Sequence, residues 1–292
     1  MDVGLFVPLA NPFATPDFLN RLGGAAEERG FHSVWVAEHI VLFDDYSSRY
    51  PYAADGRIPA GGESGLLEPF TTLAFLAGCT STIRLGTGIC LVPQRNPVYT
   101  AKEVANVDWL SGGRLDFGVG IGWLAEEFQA VAAPFADRGD RCRAYLEVMR
   151  RLWVDPLSSY EGELYRLPAC RHYPKPVQAP HPPIHFGGES DAALRRVADL
   201  GQGWYGFNLL PEEVPERLSK LDKLLAARER LRAEIEVSVC PYLRPMGDGA
   251  VQRYAEAGVD QLIVLAFAAD PDALARRLDE LASGVLERAM KL

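Results

Sequence analysis

Two adjacent residues, Glu38 and His39, end the stretch GFHSVWVAEHI (residues 30–40), and both side-chain types can move protons. The residues before them, Ser33 to Ala37, are small, β-branched or aromatic, the composition of a buried strand. A carboxylate and an imidazole at the carboxyl end of a core strand either decorate a scaffold or belong to a site. His39 by itself reads equally well as a satisfied core histidine. Its place at a strand end favours a proton-transfer or hydrogen-bonding role.

A second chemical signal is GGESDAALRRVADLG (187–201), where Gly187 and Gly188 precede Glu189, Ser190 and a helical pattern. Ser190 is a natural N-cap, and the free amides of a first helical turn attract anions. A plain capped helix explains the same letters. Glycines recur where other strands should end: Gly88 after Thr87, and Gly120 and Gly122 around Ile121. Each alone is an ordinary turn glycine; on one rim they suit close approach by a flat ligand. Other chemistries are missing from the pattern. His181 and His185 flank two prolines, so an extended backbone would set them ~13 Å apart, too far to share a metal ion. No GxGxxG, Walker lysine or Gly-x-Ser-x-Gly elbow is present.

The elements that must position these residues alternate regularly. Strand patterns at 2–8, 32–37, 83–89, 114–121, 182–188, 203–207, 236–240 and 261–267 alternate with helical patterns near 16–29, 69–80, 97–113, 140–153, 190–200, 212–231, 249–257 and 271–289. Alternation of this kind implies parallel strands joined by crossovers. Eight units in 292 residues match a single α/β domain over 1–292, a (β/α)8 TIM barrel, better than an open doubly wound sheet. Insertions follow strands 2 and 4. Residues 41–67 are polar and rich in Gly and Pro, while 154–181 hold a hairpin-like YEGELYRLP and a Pro-rich run. Both are expected near the carboxyl-terminal face, as lids or as dimer contacts.

Composition narrows the function classes. A net charge of −9 disfavours nucleic acid and anionic membranes as partners, and no apolar run is long enough to span a bilayer. Five scattered cysteines (79, 90, 142, 170 and 240) show no zinc or redox spacing, and the amino terminus has no basic segment of a signal peptide. The expectation is a cytoplasmic enzyme acting on a small molecule, without a metal, and assembled as a homodimer.

In this order the pieces resemble the bacterial luciferase-like monooxygenase superfamily, and within it the oxidoreductases that use the deazaflavin coenzyme F420. The resemblance rests on GFHSVWVAEH, on IRLGTGICLVPQRNPVYTAKEVANVDWLSGGRLDFGVGIGWLAEEF, on FADRGDRCRAYLEVMRRLW, on YPKPVQAPHPPIHFGGES and on ALRRVADLGQGW. It implies that Glu38 and His39 lie beside the reactive edge of the cofactor ring as catalytic residues. It implies a non-proline cis peptide at Gly88–Ile89 that bows the ring, with Thr87 next to it. Arg95, Asn96, Gly120 and Gly122 would stand near the ring or substrate, and Gly187, Gly188, Glu189 and Ser190 at the cofactor phosphate. Trp123 occupies the position where sugar-phosphate dehydrogenases of the superfamily carry a glutamate acid, which points to an apolar or aromatic substrate instead. The expected activity is hydride transfer between F420 and a small organic substrate. The alternatives are an FMN-dependent monooxygenase of the same superfamily and a non-catalytic flavin-binding protein.

Overall fold

The computed structural model describes residues 1–292. Eight parallel strands close into a barrel: β1 (Asp2–Val7), β2 (Ser33–Val36), β3 (Arg84–Thr87), β4 (Leu115–Gly120), β5 (Ile184–Gly187), β6 (Gly203–Phe207), β7 (Glu236–Cys240) and β8 (Gln261–Leu265). Each strand pairs with its neighbour in sequence, and β8 returns to β1 with Gln261 opposite Asp2. Helices cover the outside, so the fold is the expected (β/α)8 barrel.

Short, fully buried strands explain the absence of alternation in the sequence, because every side chain faces either the barrel interior or the helical layer. Helix Pro16–Glu28 starts at the Thr15 cap, and helix Pro97–Ser111 stops at Gly112, whose φ of 69° is left-handed. The barrel interior is filled in layers. At its lower end Ser33, Gln261, Glu236 and Ser238 exchange hydrogen bonds, and Arg84 grips buried Asp116 with Nε–Oδ2 at 2.8 Å. Above lies an aromatic plug of Phe6, Trp35, Tyr205, Cys240 and Ile263, which forms the floor beneath the mouth.

Three readings change. The third strand ends at Thr87 rather than running to 89, the Gly88–Ile89 peptide being cis as the resemblance implies, and Cys90–Leu91 resumes pairing against Val119 and Gly120. A short helix, Ala125–Ala130, follows β4. The last helix is interrupted by a π turn at Ala282–Leu286. The insertion 154–181 contains the hairpin expected there, Ser158–Glu161 with Arg166–Cys170. Lys175 binds the carbonyls of Leu152 and Asp155 at the end of helix Arg138–Val154, and Asp108 accepts from the amides of Val177 and Gln178. Helix carboxyl ends lie at the opposite end of a barrel from strand carboxyl ends, so these contacts hold residues 175–178 at the bottom, while Tyr165 in the hairpin turn packs on Tyr145 and lies beside Asn96 at the start of helix Pro97–Ser111. Trp35 is wholly buried, and its indole N–H donates to Ser33 Oγ at 2.8 Å. Trp35→Ala should therefore cost about 3–5 kcal/mol of stability, measured as a lowered urea midpoint with little change in slope.

Candidate active site

The strand carboxyl ends surround a cavity of about 550 Å³. Its wall includes Glu38, His39, Gly88, Ile89, Gly120, Gly122, Trp123, Gly187, Gly188 and Ser190. Glu38 contributes to the wall with both oxygens committed elsewhere. Oε1 accepts from Arg95 Nε at 2.7 Å and Oε2 from the Leu91 amide at 2.5 Å. Arg95 also pairs with Glu68 and Glu103 and lies over the Phe70 ring. Glu38 thus fastens β2 to the chain just beyond the cis peptide. Of the two roles open to it in the sequence, the structure gives it the holding one.

His39 lies in a different setting. Its Nδ1 is 3.2 Å from Oε2 of Glu127, whose side chain is completely buried. Glu127 also accepts from the Ile40 amide at 2.7 Å and from Gln94 Nε2 at 3.0 Å. Burial opposes the charge of Glu127, but these donors outweigh it and hold the carboxyl below the usual range. Sequence reasoning missed Glu127. The available signal was its place between Leu124 and Phe128, three and one residues away on the buried face of a short helix. A glutamate there must enter the protein and find donors.

Two of the rim glycines also make room inside the protein. A Cβ at Gly120 would fall 2.0 Å from Ile89 Cδ1, and one at Gly187 would fall 2.6 Å from it. The Ile89 side chain fills the space that these two residues leave empty. Gly188 differs, with a φ of 104° that only glycine adopts readily, and its carbonyl accepts from Trp204 Nε1 at 2.9 Å.

Three expected ligand-contacting residues lie outside the cavity wall. Thr87 is buried and donates to the Gly118 carbonyl at 2.7 Å. Asn96 caps helix Pro97–Ser111, with Oδ1 3.0 Å from the Val98 amide. Glu189 points away, accepting from the Phe207 amide at 2.7 Å and from the Tyr52 hydroxyl at 3.2 Å. Burial raises its carboxyl above the usual range. Threonine, asparagine and glutamate at loop edges satisfy local backbone donors and acceptors as readily as they meet a ligand.

At the β5 end, Ser190 Oγ accepts from the Ala193 amide and caps helix Asp191–Leu200. One turn further on, the Arg196 guanidinium enters the same wall without a carboxylate in ion-pair range, although Arg143 and Arg228 nearby both pair with Asp199. Burial, and then the neighbouring Arg143 and Arg138, lower its pKa from the ordinary value. A capped helix start, a glycine that lets the chain approach and an unpaired cation together suit a phosphate.

Much of the remaining wall is aromatic. Trp123 meets the rings of His39, Tyr46 and Tyr50 edge-on at 5.8, 5.7 and 5.2 Å. Phe207 packs against Tyr242 at 4.6 Å and Tyr52 at 4.9 Å. Tyr242 holds a left-handed φ of 55°, unusual for so large a residue and a sign that the surroundings enforce its position.

The search for similar proteins gives this cavity a context. A family model described as luciferase-like monooxygenase matches residues 1–289. The chain belongs to this family. An uncharacterised protein of Mycobacterium tuberculosis is 31% identical over 268 residues, covering 90% of this chain and 91% of its own. An FMNH2-dependent dimethylsulfone monooxygenase of Pseudomonas putida is 32% identical over 156 residues, 52% of this chain and 42% of that protein. Among solved structures, the coenzyme F420-dependent tetrahydromethanopterin reductase of Methanopyrus kandleri superposes with a TM-score of 0.74 at 17% identity, over 99% of both chains. The chain is thus a member of the luciferase-like monooxygenase family and shares the fold of that reductase.

Residues 41–67 supply Leu42, Tyr50, Tyr52 and Ile58 to the cavity wall, so this insertion forms part of the cover of the cavity. Glu126 latches it, accepting from the Ser47 and Ser48 amides at 2.6 and 3.2 Å. Burial opposes its charge, but the Ser48 hydroxyl and main-chain donors pull its carboxyl down to about 2 from 4.5. Because the folded value is the lower one, this stabilisation is complete above 4.5 and fades as pH falls towards 2. Glu126→Ala should speed tryptic cleavage after Arg49 and Arg57 several-fold at neutral pH, with the rest of the chain intact by mass spectrometry. Unchanged cleavage would show that the cover is held by other contacts.

Proposed function

We propose that the protein is an oxidoreductase that binds coenzyme F420 in this cavity and transfers hydride between the deazaflavin and a small, apolar or aromatic substrate. The observation that carries the reading is the Arg196 guanidinium, unpaired beside the Ser190-capped helix and facing the same cavity as His39. The residues fit a phosphate-bearing ring cofactor. Ser190, the Gly188 turn and Arg196 would hold the phosphate. The Gly88–Ile89 bulge and the strand ends at Gly120 and Gly187 would support the ring, with His39 at its edge. The cofactor, when bound, supplies the hydride chemistry. The protein supplies orientation, a cover that excludes water, and hydrogen bonding from His39.

The lining supports an uncharged substrate, since Trp123, Tyr50, Phe207 and Tyr242 contribute to it and Arg196 is its one unpaired charge. Resemblance of the strand 3 and strand 4 motifs to the F420 branch favours the deazaflavin. The half-length Pseudomonas relative favours a second reading, an FMN-dependent monooxygenase in the same shell.

Fluorescence titration of purified protein with F420 and with FMN decides between them. F420 should bind tightly, and Arg196→Gln should weaken it about 10- to 100-fold, the loss of a charged hydrogen bond worth ~1.5–3 kcal/mol. Binding of FMN alone would replace the main reading with the second, and binding of neither would remove both.

We further propose that the protein works as a cytoplasmic homodimer. Five free cysteines suit a reducing compartment. Helix Pro97–Ser111 leaves Tyr99, Leu110 and Trp109 exposed by 74, 63 and 57%, an apolar face unusual for a free surface. Sedimentation should give a dimer, and Trp109→Glu should give a monomer with unchanged circular dichroism. A wild-type monomer would end the dimer proposal.

A further inference from the structure

We infer that Glu127 is a positioning residue: it fixes His39 as the tautomer with hydrogen on Nδ1, leaving Nε2 as a hydrogen-bond acceptor open to the cavity. The inference rests on the proposed reading only in what it says the open nitrogen meets, a ring cofactor. The tautomer follows from the protein alone.

The two oxygens of Glu127 have distinct duties. Oε1 accepts from the Ile40 amide at 2.7 Å and, at the longer distance of 3.4 Å, from that of Val41. Main-chain N–H groups can only donate, so this oxygen is fixed as an acceptor. Oε2 takes Gln94 Nε2 at 3.0 Å and faces His39 Nδ1 at 3.2 Å. An ionised carboxylate has no hydrogen to offer, so the one in the Nδ1 contact must belong to the histidine. The Glu127 side chain is 0% exposed and that of His39 is 10% exposed, so water does not compete for the bond. Trp123, edge-on at 5.8 Å, limits rotation of the imidazole. Nε2 has no protein partner, and the ring lines the cavity. A carboxylate that orients a histidine in this way sets what the far nitrogen can do, the same logic that operates in hydrolase triads.

Glu127 also anchors the start of the 41–67 cover, so a purely structural role is the competing explanation. Glu127→Gln separates the two. Its carbonyl oxygen can keep the Ile40 bond, which places the amide NH2 where Oε2 was. Gln94 can adapt by turning its own amide, because its Oε1 is buried with no partner. The new NH2 then donates to His39 Nδ1, which must become the acceptor, and the hydrogen moves to Nε2.

Nitrogen-15 NMR of histidine-labelled protein, with pH raised until the His39 signals no longer move, reads this directly. His39 is identified by the signal lost in His39→Asn. In ligand-free wild type the expected pattern is protonated Nδ1 and bare Nε2, reversed in Glu127→Gln while thermal unfolding stays cooperative. Added F420 or FMN should shift the wild-type Nε2 signal and leave Nδ1 in place. Wild-type His39 protonated on Nε2, or a tautomer unchanged in Glu127→Gln, overturns the inference. The expected tautomers with no Nε2 response to either cofactor would uphold the role of Glu127 and count against the cofactor reading instead.

Discussion

The mouth of the barrel depends on one buried carboxylate. Glu38 takes the Leu91 amide on one oxygen and the Arg95 guanidinium on the other, and so ties β2 to the segment that follows the Gly88–Ile89 peptide. Removing either partner would leave a charge in a dry site, which is far more costly than the pair is favourable. With that segment held, Ile89 projects between β4 and β5, and Gly120 and Gly187 are needed to receive it. The same strand end delivers His39 to the cavity. A support for the cavity floor and a group for the reaction therefore come from neighbouring residues with opposite fates: one fully bonded, one left with a free nitrogen.

The same device recurs around the rim. Glu38, Glu126, Glu127 and Glu189 all accept main-chain N–H groups from loops at strand ends. Loop amides have no ladder partner, and a buried amide without an acceptor costs about as much as a lost hydrogen bond. A carboxylate can take several such donors at once, which orders a loop without regular secondary structure. Glu126 and Glu127, adjacent on one short helix, divide the cover between them: Ser47 and Ser48 go to the first, Ile40 and Val41 to the second. Position of the cover and orientation of His39 are consequently set by one turn of helix.

What was legible in the sequence follows from this distinction. Strand and helix periodicity, Ser190 as a cap and the glycine stop after Ser111 are local signals, and they held. Coordinates of partners are not local. Glu127 is 88 residues from His39, and its pairing depends on β2 and β4 ending at the same height. Thr87, Asn96 and Glu189 have residue types that suit a ligand, but nearby backbone groups take up their polar atoms. The rim glycines were correctly placed, and at Gly120 and Gly187 the missing Cβ also makes room for Ile89, which no local signal announces. The anchors of residues 175–178, Asp108 and the carbonyls of Leu152 and Asp155, lie at helix ends that sequence alone does not orient.

Charge at the site runs against charge on the whole chain. The protein carries a net −9, yet the one unpaired ion on the cavity wall is the cation Arg196. Surface carboxylates more than about 8 Å away are largely screened at physiological ionic strength, so the potential at that end is set locally. Locally, Asp199 is already shared by Arg143 and Arg228, and Arg138 is taken up by the carbonyls of Gly122 and Phe135. The amides at the start of helix Asp191–Leu200 add partial positive charge rather than relieving it. A half-buried guanidinium in this position has no compensating anion within the chain, whereas the aromatic residues of the wall discriminate by shape and exclusion of water. The cavity therefore combines one unpaired cation with a largely apolar lining, and His39, held by Glu127, lines the same space.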